Sequence, residues 1–202
     1  MQKQSNFKYL FILSILMLGY NTGIMAQKPL SEAIIPDFAG IQYAGSIGHL
    51  SVGAGYTFFK RTNLNFNYGY IPEKKGGRMH ILALKFEYKP FRIPIGKAIE
   101  IHPFNPGVFA TYTFQKNLTF GFDSPQYPKD YYFWSEALRK HIGASSEIKL
   151  INQRTEGKIK ALSLYIEANT NDIYMISWFE NRTTIPFTQI FKLGYGLRLY
   201  FE

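Results

Sequence analysis

The chain has no cysteine. That absence excludes a disulfide scaffold, a thiolate metal site and a bacterial lipoprotein anchored through Cys. Long apolar runs are also missing: beyond residue 26 nothing approaches the roughly 20 consecutive apolar residues of a membrane-spanning helix, so any membrane span must be built of strands. Acidic residues are scarce, 14 against 23 Lys and Arg, and the formal net charge is +9. No Gly-rich phosphate loop, metal-spaced His cluster or G-x-S-x-G elbow occurs. No cofactor and no metal are expected.

Gly and aromatic residues are abundant instead, at 17 Gly and 17% aromatic, a bias towards β structure. The first residues carry Lys3 and Lys8, then an apolar stretch from Tyr9 to Leu18, then small residues ending at Ala26. This order reads as a signal peptide over 1–26, since about ten apolar residues cannot cross roughly 30 Å of hydrocarbon as a helix. An exported chain over 27–202 follows. Its basic balance suits nucleic acid or phosphate-rich lipid head groups, and the charge alone does not choose between them; for an exported chain the lipid is the nearer anionic surface, and no nucleic-acid partner is expected.

The period of two recurs along the exported part. Leu50, Val52, Ala54, Tyr56 and Phe58 oppose Ser51, Gly53, Gly55 and Thr57; Leu64, Phe66, Tyr68 and Tyr70 oppose Asn63, Asn65, Asn67 and Gly69. The same alternation marks Leu82–Tyr88, Val108–Phe114, Ile142–Leu150, Leu162–Asn169 and Phe191–Phe201. A first strand around Gly40–Ile47 loses phase near Gly45–His49, as at a tight turn or bulge. Counting it gives about eight strands, and the expected fold is all-β: a closed antiparallel up-and-down transmembrane β-barrel. Lys60–Thr62 reads as a short turn, Gln115–Lys140 and Thr170–Pro186 as long outer loops with short rim helices at Tyr131–Leu138 and Asn171–Phe179. The run Lys89–Pro103 is too long for a simple turn at the opposite end.

Alternation by itself leaves a soluble lipocalin-like barrel as the competitor. The polar face separates the two, because it is dominated by Gly, Ser, Thr and Asn, small enough to fill a narrow interior, rather than by the Lys and Glu of a wetted surface. Its charges are Lys85, Glu87, Glu147, Lys149, Glu167, Lys192 and Arg198, a nearly balanced set expected to pair as a plug in the lumen. Trp134 and Trp178 fall outside the strands and are expected at the lipid–water interface. Lys74, Lys75, Arg78, Lys116, Lys129, Arg139, Lys140 and Arg182 are placed near outer-leaflet phosphates.

The last strand, Gly194-Tyr-Gly-Leu-Arg-Leu-Tyr-Phe201-Glu202, carries Gly196-x-x-Leu199-x-Phe201. That spacing resembles the C-terminal signal of Gram-negative outer-membrane barrels, departing from it by the trailing Glu202. More broadly, residues 40 to 201 resemble the small eight-stranded outer-membrane β-barrel proteins, a class of many functions. The resemblance implies location in the cell outer membrane, contact with its lipid and lipopolysaccharide, handling by the barrel-assembly machinery, and a monomer. Some small barrels are lipid A palmitoyltransferases or deacylases. The residues suited to such acyl transfer are His49, His80, His102, His141 and the pair Asp123-Ser124, but Asp-Ser-Pro is also an ordinary turn sequence. The expectation is therefore a non-enzymatic structural or surface-interaction barrel, with lipid A acyl modification as the alternative.

Overall fold

The alternating segments form strands β1 (Phe38–Ala44), β2 (Leu50–Phe58), β3 (Thr62–Ile71), β4 (Met79–Tyr88), β5 (Ile93–Ile95), β6 (Ile99–Phe114), β7 (Leu138–Ile151), β8 (Ile159–Asn171) and β9 (Lys192–Phe201), with a helix α1 (Asp172–Glu180) between the last two. The structure, a computed structural model, describes residues 35–115, 135, 137–154 and 157–201. The expected signal peptide, Trp134 and Asp123-Ser124 lie outside them. All nine strands belong to one unit, Pro36–Glu202.

Eight strands close into an antiparallel up-and-down barrel. Each pairs with its neighbour in the chain, β1 pairs with β9, and β4 pairs with β6, so the sheet has no open edge along the barrel wall. The short β5 is extra: it pairs only with the first residues of β6. The run Lys89–Pro103, too long for a turn, is accounted for by this hairpin. Further along β6 the register slips between His102 and Asn105, a bulge that exchanges the phase of the strand. Glu100 and His102 point inward before it, and Asn105, Phe109 and Thr111 after it.

The two faces of the wall are opposite in character. Outward positions carry Ile41, Val52, Phe66, Leu84, Phe86, Val108, Ile142, Leu164 and Leu197, all exposed; Leu164, for example, is 56% exposed. Inward positions carry Asn63, Asn65, Lys85, Glu87, Ser145, Glu147, Ser163, Glu167 and Arg198, all buried. The polarity of a water-soluble barrel is thus inverted.

The connections after β1, β3, β6 and β8 lie at one end, here the loop end; those after β2, β4 and β7 lie at the other, with Phe38 and Phe201, here the terminal end. At the loop end the phase loss after β1 is a turn through Ala44, Gly45 and Gly48, all at positive φ. It folds inward and buries Ile47 against Ala83 and Phe109. Gly69 makes this possible, since a Cβ there would lie 1.6 Å from the Ile47 carbonyl oxygen. The expected rim helix at Asn171–Phe179 is α1, its N-terminus capped by Asn171 Oδ1, which accepts from the Tyr174 N–H. Leu138, placed in a rim helix by its sequence, instead opens β7. Among the described residues no helix is long and apolar enough to cross a membrane.

Candidate functional site

A narrow lumen forces the inward side chains of opposite walls to touch, so its chemistry depends on which charges meet. Glu87 on β4 accepts from Arg198 Nη1 on β9 at 2.8 Å, from Ser145 Oγ on β7 at 2.6 Å and from Asn63 Nδ2 on β3 at 3.2 Å. Glu147 on β7 pairs with Lys89, accepts from Tyr200 Oη at 2.5 Å, and lies 3.4 Å from Arg198 Nη1. Lys85 on β4 pairs with Glu167 on β8, whose second oxygen accepts from Asn169. The chain continues through Ser46 Oγ, which donates to Asn169 Oδ1 at 2.5 Å.

Three buried cations, Lys85, Lys89 and Arg198, therefore face three buried carboxylates, Glu87, Glu147 and Glu167. Each charge is compensated by a direct partner, which is the condition under which burying it is tolerable. The Arg198 guanidinium also lies 4.1 Å from the centre of the Tyr165 ring. Beside this network run two spaces of about 10 Å³ each, room for about one water molecule apiece.

Five of the seven expected interior charges meet in this way. Lys149 is inward but only partly buried, with Nζ 3.6 Å from the centre of the Tyr200 ring. Lys192 does not join the plug: it is exposed at the loop-end rim, with Nζ 5.1 Å from the Tyr174 ring of α1. Its inward parity holds, but at the strand's first residue the lumen has already opened to solvent. Lys89 takes the place expected of it. The sequence held the signal, because Lys85, Glu87 and Lys89 continue one parity past the end of β4.

Of the expected C-terminal signal, Leu199 faces outward and Phe201 N–H donates to the Asp37 carbonyl, closing the barrel seam. Gly196 faces inward, where a Cβ would lie 2.7 Å from the Tyr165 ring and 2.3 Å from the Ile41 carbonyl oxygen. Trp178 lies on α1, stacked edge-on against Phe179 and Phe187 with Arg182 5.3 Å from its ring. Other aromatic residues cluster on the wall itself. Near the loop end Tyr43 packs on Tyr195 and His49, and His80 packs between Tyr68 and Tyr70.

No family model, curated protein or solved structure matches the chain.

The histidines that suit acyl transfer are dispersed. His80 Nδ1 is 2.5 Å from Tyr68 Oη on the outer wall, while His102 bridges the Phe91 carbonyl and Glu100 at the terminal end. His141 meets Thr111 Oγ1 at 2.9 Å and stacks flat on Phe109 inside the lumen, and His49 lies at the rim on Tyr43. Among the described residues no group of three or more His, Asp or Glu is placed to hold a metal ion.

Proposed function

We propose that the protein is an integral outer-membrane β-barrel of a Gram-negative bacterium, with a side-chain-plugged lumen and a structural or surface-interaction role. The inverted polarity of the wall carries this reading. A belt of exposed Leu, Ile, Val and Phe around the whole barrel is unfavourable in water and favourable in hydrocarbon, while the charges that lipid would reject are enclosed. Strand length agrees: β2, β3, β4 and β9 have 9, 10, 10 and 10 residues, the length that crosses the hydrocarbon when tilted. The tyrosines and histidines near the loop end sit where an interfacial band belongs.

In this reading residues 1–26 are cleaved on export, the terminal end faces the periplasm and the loop end faces outward. The barrel-assembly machinery reads the last strand, lipid and lipopolysaccharide surround the wall, and the barrel works as a monomer. Surface interaction is supported by α1, which carries exposed Ile176 and Phe179, and by Trp178, whose ring meets Phe179 and the exposed Phe187 of the following segment edge-on. Fractionation of cells tests the proposal. The expected result is recovery in the outer membrane, release only by detergent, and a gel mobility that changes on heating; a soluble periplasmic or secreted monomer overturns it.

A further inference from the structure

The terminal end of the barrel opens into a cavity of about 540 Å³ lined by Lys60, Arg61, Lys89, Arg92, Lys149 and Lys160. These six cations come from four separate segments of the chain, the β2–β3 turn, the β4–β5 connection, β7 and β8. Two carboxylates share the lining, Asp37 and Glu100. Both are engaged: Asp37 accepts from the Thr57 N–H at 2.7 Å, and Glu100 holds Arg92 and His102. Lys89 is held by Glu147 at the floor. Lys60, Arg61 and Lys149 enter no ion pair among the described residues.

The balance here is the reverse of that in the lumen. Deeper in, every cation has its own carboxylate; among the described residues at this mouth, six cations share the lining with two carboxylates, and only Lys89 is taken up by the carboxylate below, Glu147. Such convergence costs mutual repulsion, and the low-dielectric barrel wall focuses the resulting positive field into the cavity. The cost is offset when a multiply charged anion enters, because ammonium and guanidinium groups then gain charge-assisted hydrogen bonds. The volume is that of a small-molecule site. The floor is fixed as well, with Lys149 Nζ lying 3.6 Å from the Tyr200 ring centre and the Tyr200 hydroxyl held by Glu147.

We propose that this mouth is a binding site for a phosphate-bearing anion of at least two charges, held by Lys149, Arg61 and Lys60 above the Lys89–Glu147 floor. The site does not depend on which way the barrel crosses a membrane.

Calorimetric titration of the purified protein in non-ionic detergent with pyrophosphate tests it. Saturable binding is expected, weakened about tenfold by Arg61→Gln and about tenfold by Lys149→Gln, each of which removes one charged hydrogen bond. Lys74→Gln with Lys75→Gln, at the opposite end of the barrel, should leave binding unchanged. Arg61 lies on an exposed turn, so its variant keeps the test valid if Lys149→Gln fails to fold. A second arm replaces pyrophosphate by phosphatidic acid in mixed micelles. Binding of pyrophosphate identifies a soluble source, and binding of the lipid alone, with the same loss in Arg61→Gln, identifies a headgroup. Absence of saturable binding in both arms, or equal loss in the Lys74→Gln/Lys75→Gln control, overturns the site.

Discussion

Lys85 on β4 and Glu167 on β8 form an ion pair across the lumen, three strands apart around the barrel in one direction and five in the other. Both side chains are 4% exposed, so neither charge is open to bulk water. A pair of this kind ties opposite walls together without any local contact between their strands.

Removing one partner leaves the other charge enclosed and uncompensated. Glu167→Gln keeps the shape and loses the charge, and is expected to destabilise the barrel by about 3 to 5 kcal/mol if the site is dry. The double variant Lys85→Met/Glu167→Leu should recover most of that loss. Urea unfolding in detergent measures both, and a double variant no more stable than Glu167→Gln contradicts the paired plug.

The same network blocks conduction. With spaces of only about 10 Å³ beside the charges, planar-bilayer recordings of the wild type are expected to show no stable open level. A steady ion current in the wild type would favour a channel.

Leu164 points out from the middle of β8, and its exposure distinguishes lipid from water on that side. In lipid, Leu164→Arg costs about 2 to 4 kcal/mol near the midplane. In water the same change is neutral or improves solubility. Refolding into liposomes should therefore fall for Leu164→Arg, and an unchanged yield argues for a soluble barrel.

The last strand carries two separable effects. Gly196→Val drives a side chain into Tyr165 and the Ile41 carbonyl and should lower stability by about 1 to 3 kcal/mol in the purified protein. Deleting Phe201 and Glu202 should instead lower insertion in cells. Unchanged insertion of the truncated chain removes the case for an assembly signal at this end.

Phe59 and Lys60 form the β2–β3 turn with φ of 52° and 62°, a left-handed pair that other hairpins give to Asn-Gly. Replacing them by Asn-Gly is expected to stabilise the barrel by about 1 kcal/mol or more, read from the urea midpoint. A lower midpoint would show that the Phe59 ring contributes a contact of its own.

The period of two determined the wall by itself. Leu50–Phe58 and Asn63–Ile71 alternate so regularly that one face had to be apolar and the other polar, and a one-residue slip would have exchanged every side chain. The small polar face, rich in Gly, Ser, Thr and Asn, was likewise legible as an interior because only small groups fit inside eight strands. What meets across that interior was not legible, since pairing between β4 and β8 depends on barrel stagger, which no local pattern encodes. For the same reason the bulge at His102–Asn105 hid Glu100 and His102, whose parity contradicts the rest of β6. Lys192 and Lys149 share a face with the plug in the sequence, yet only the position of each along the barrel axis decides whether water reaches it. The cationic mouth is the extreme case: Lys60, Arg61, Lys89, Arg92, Lys149 and Lys160 look like scattered surface charges until closure of the sheet brings four segments to one opening.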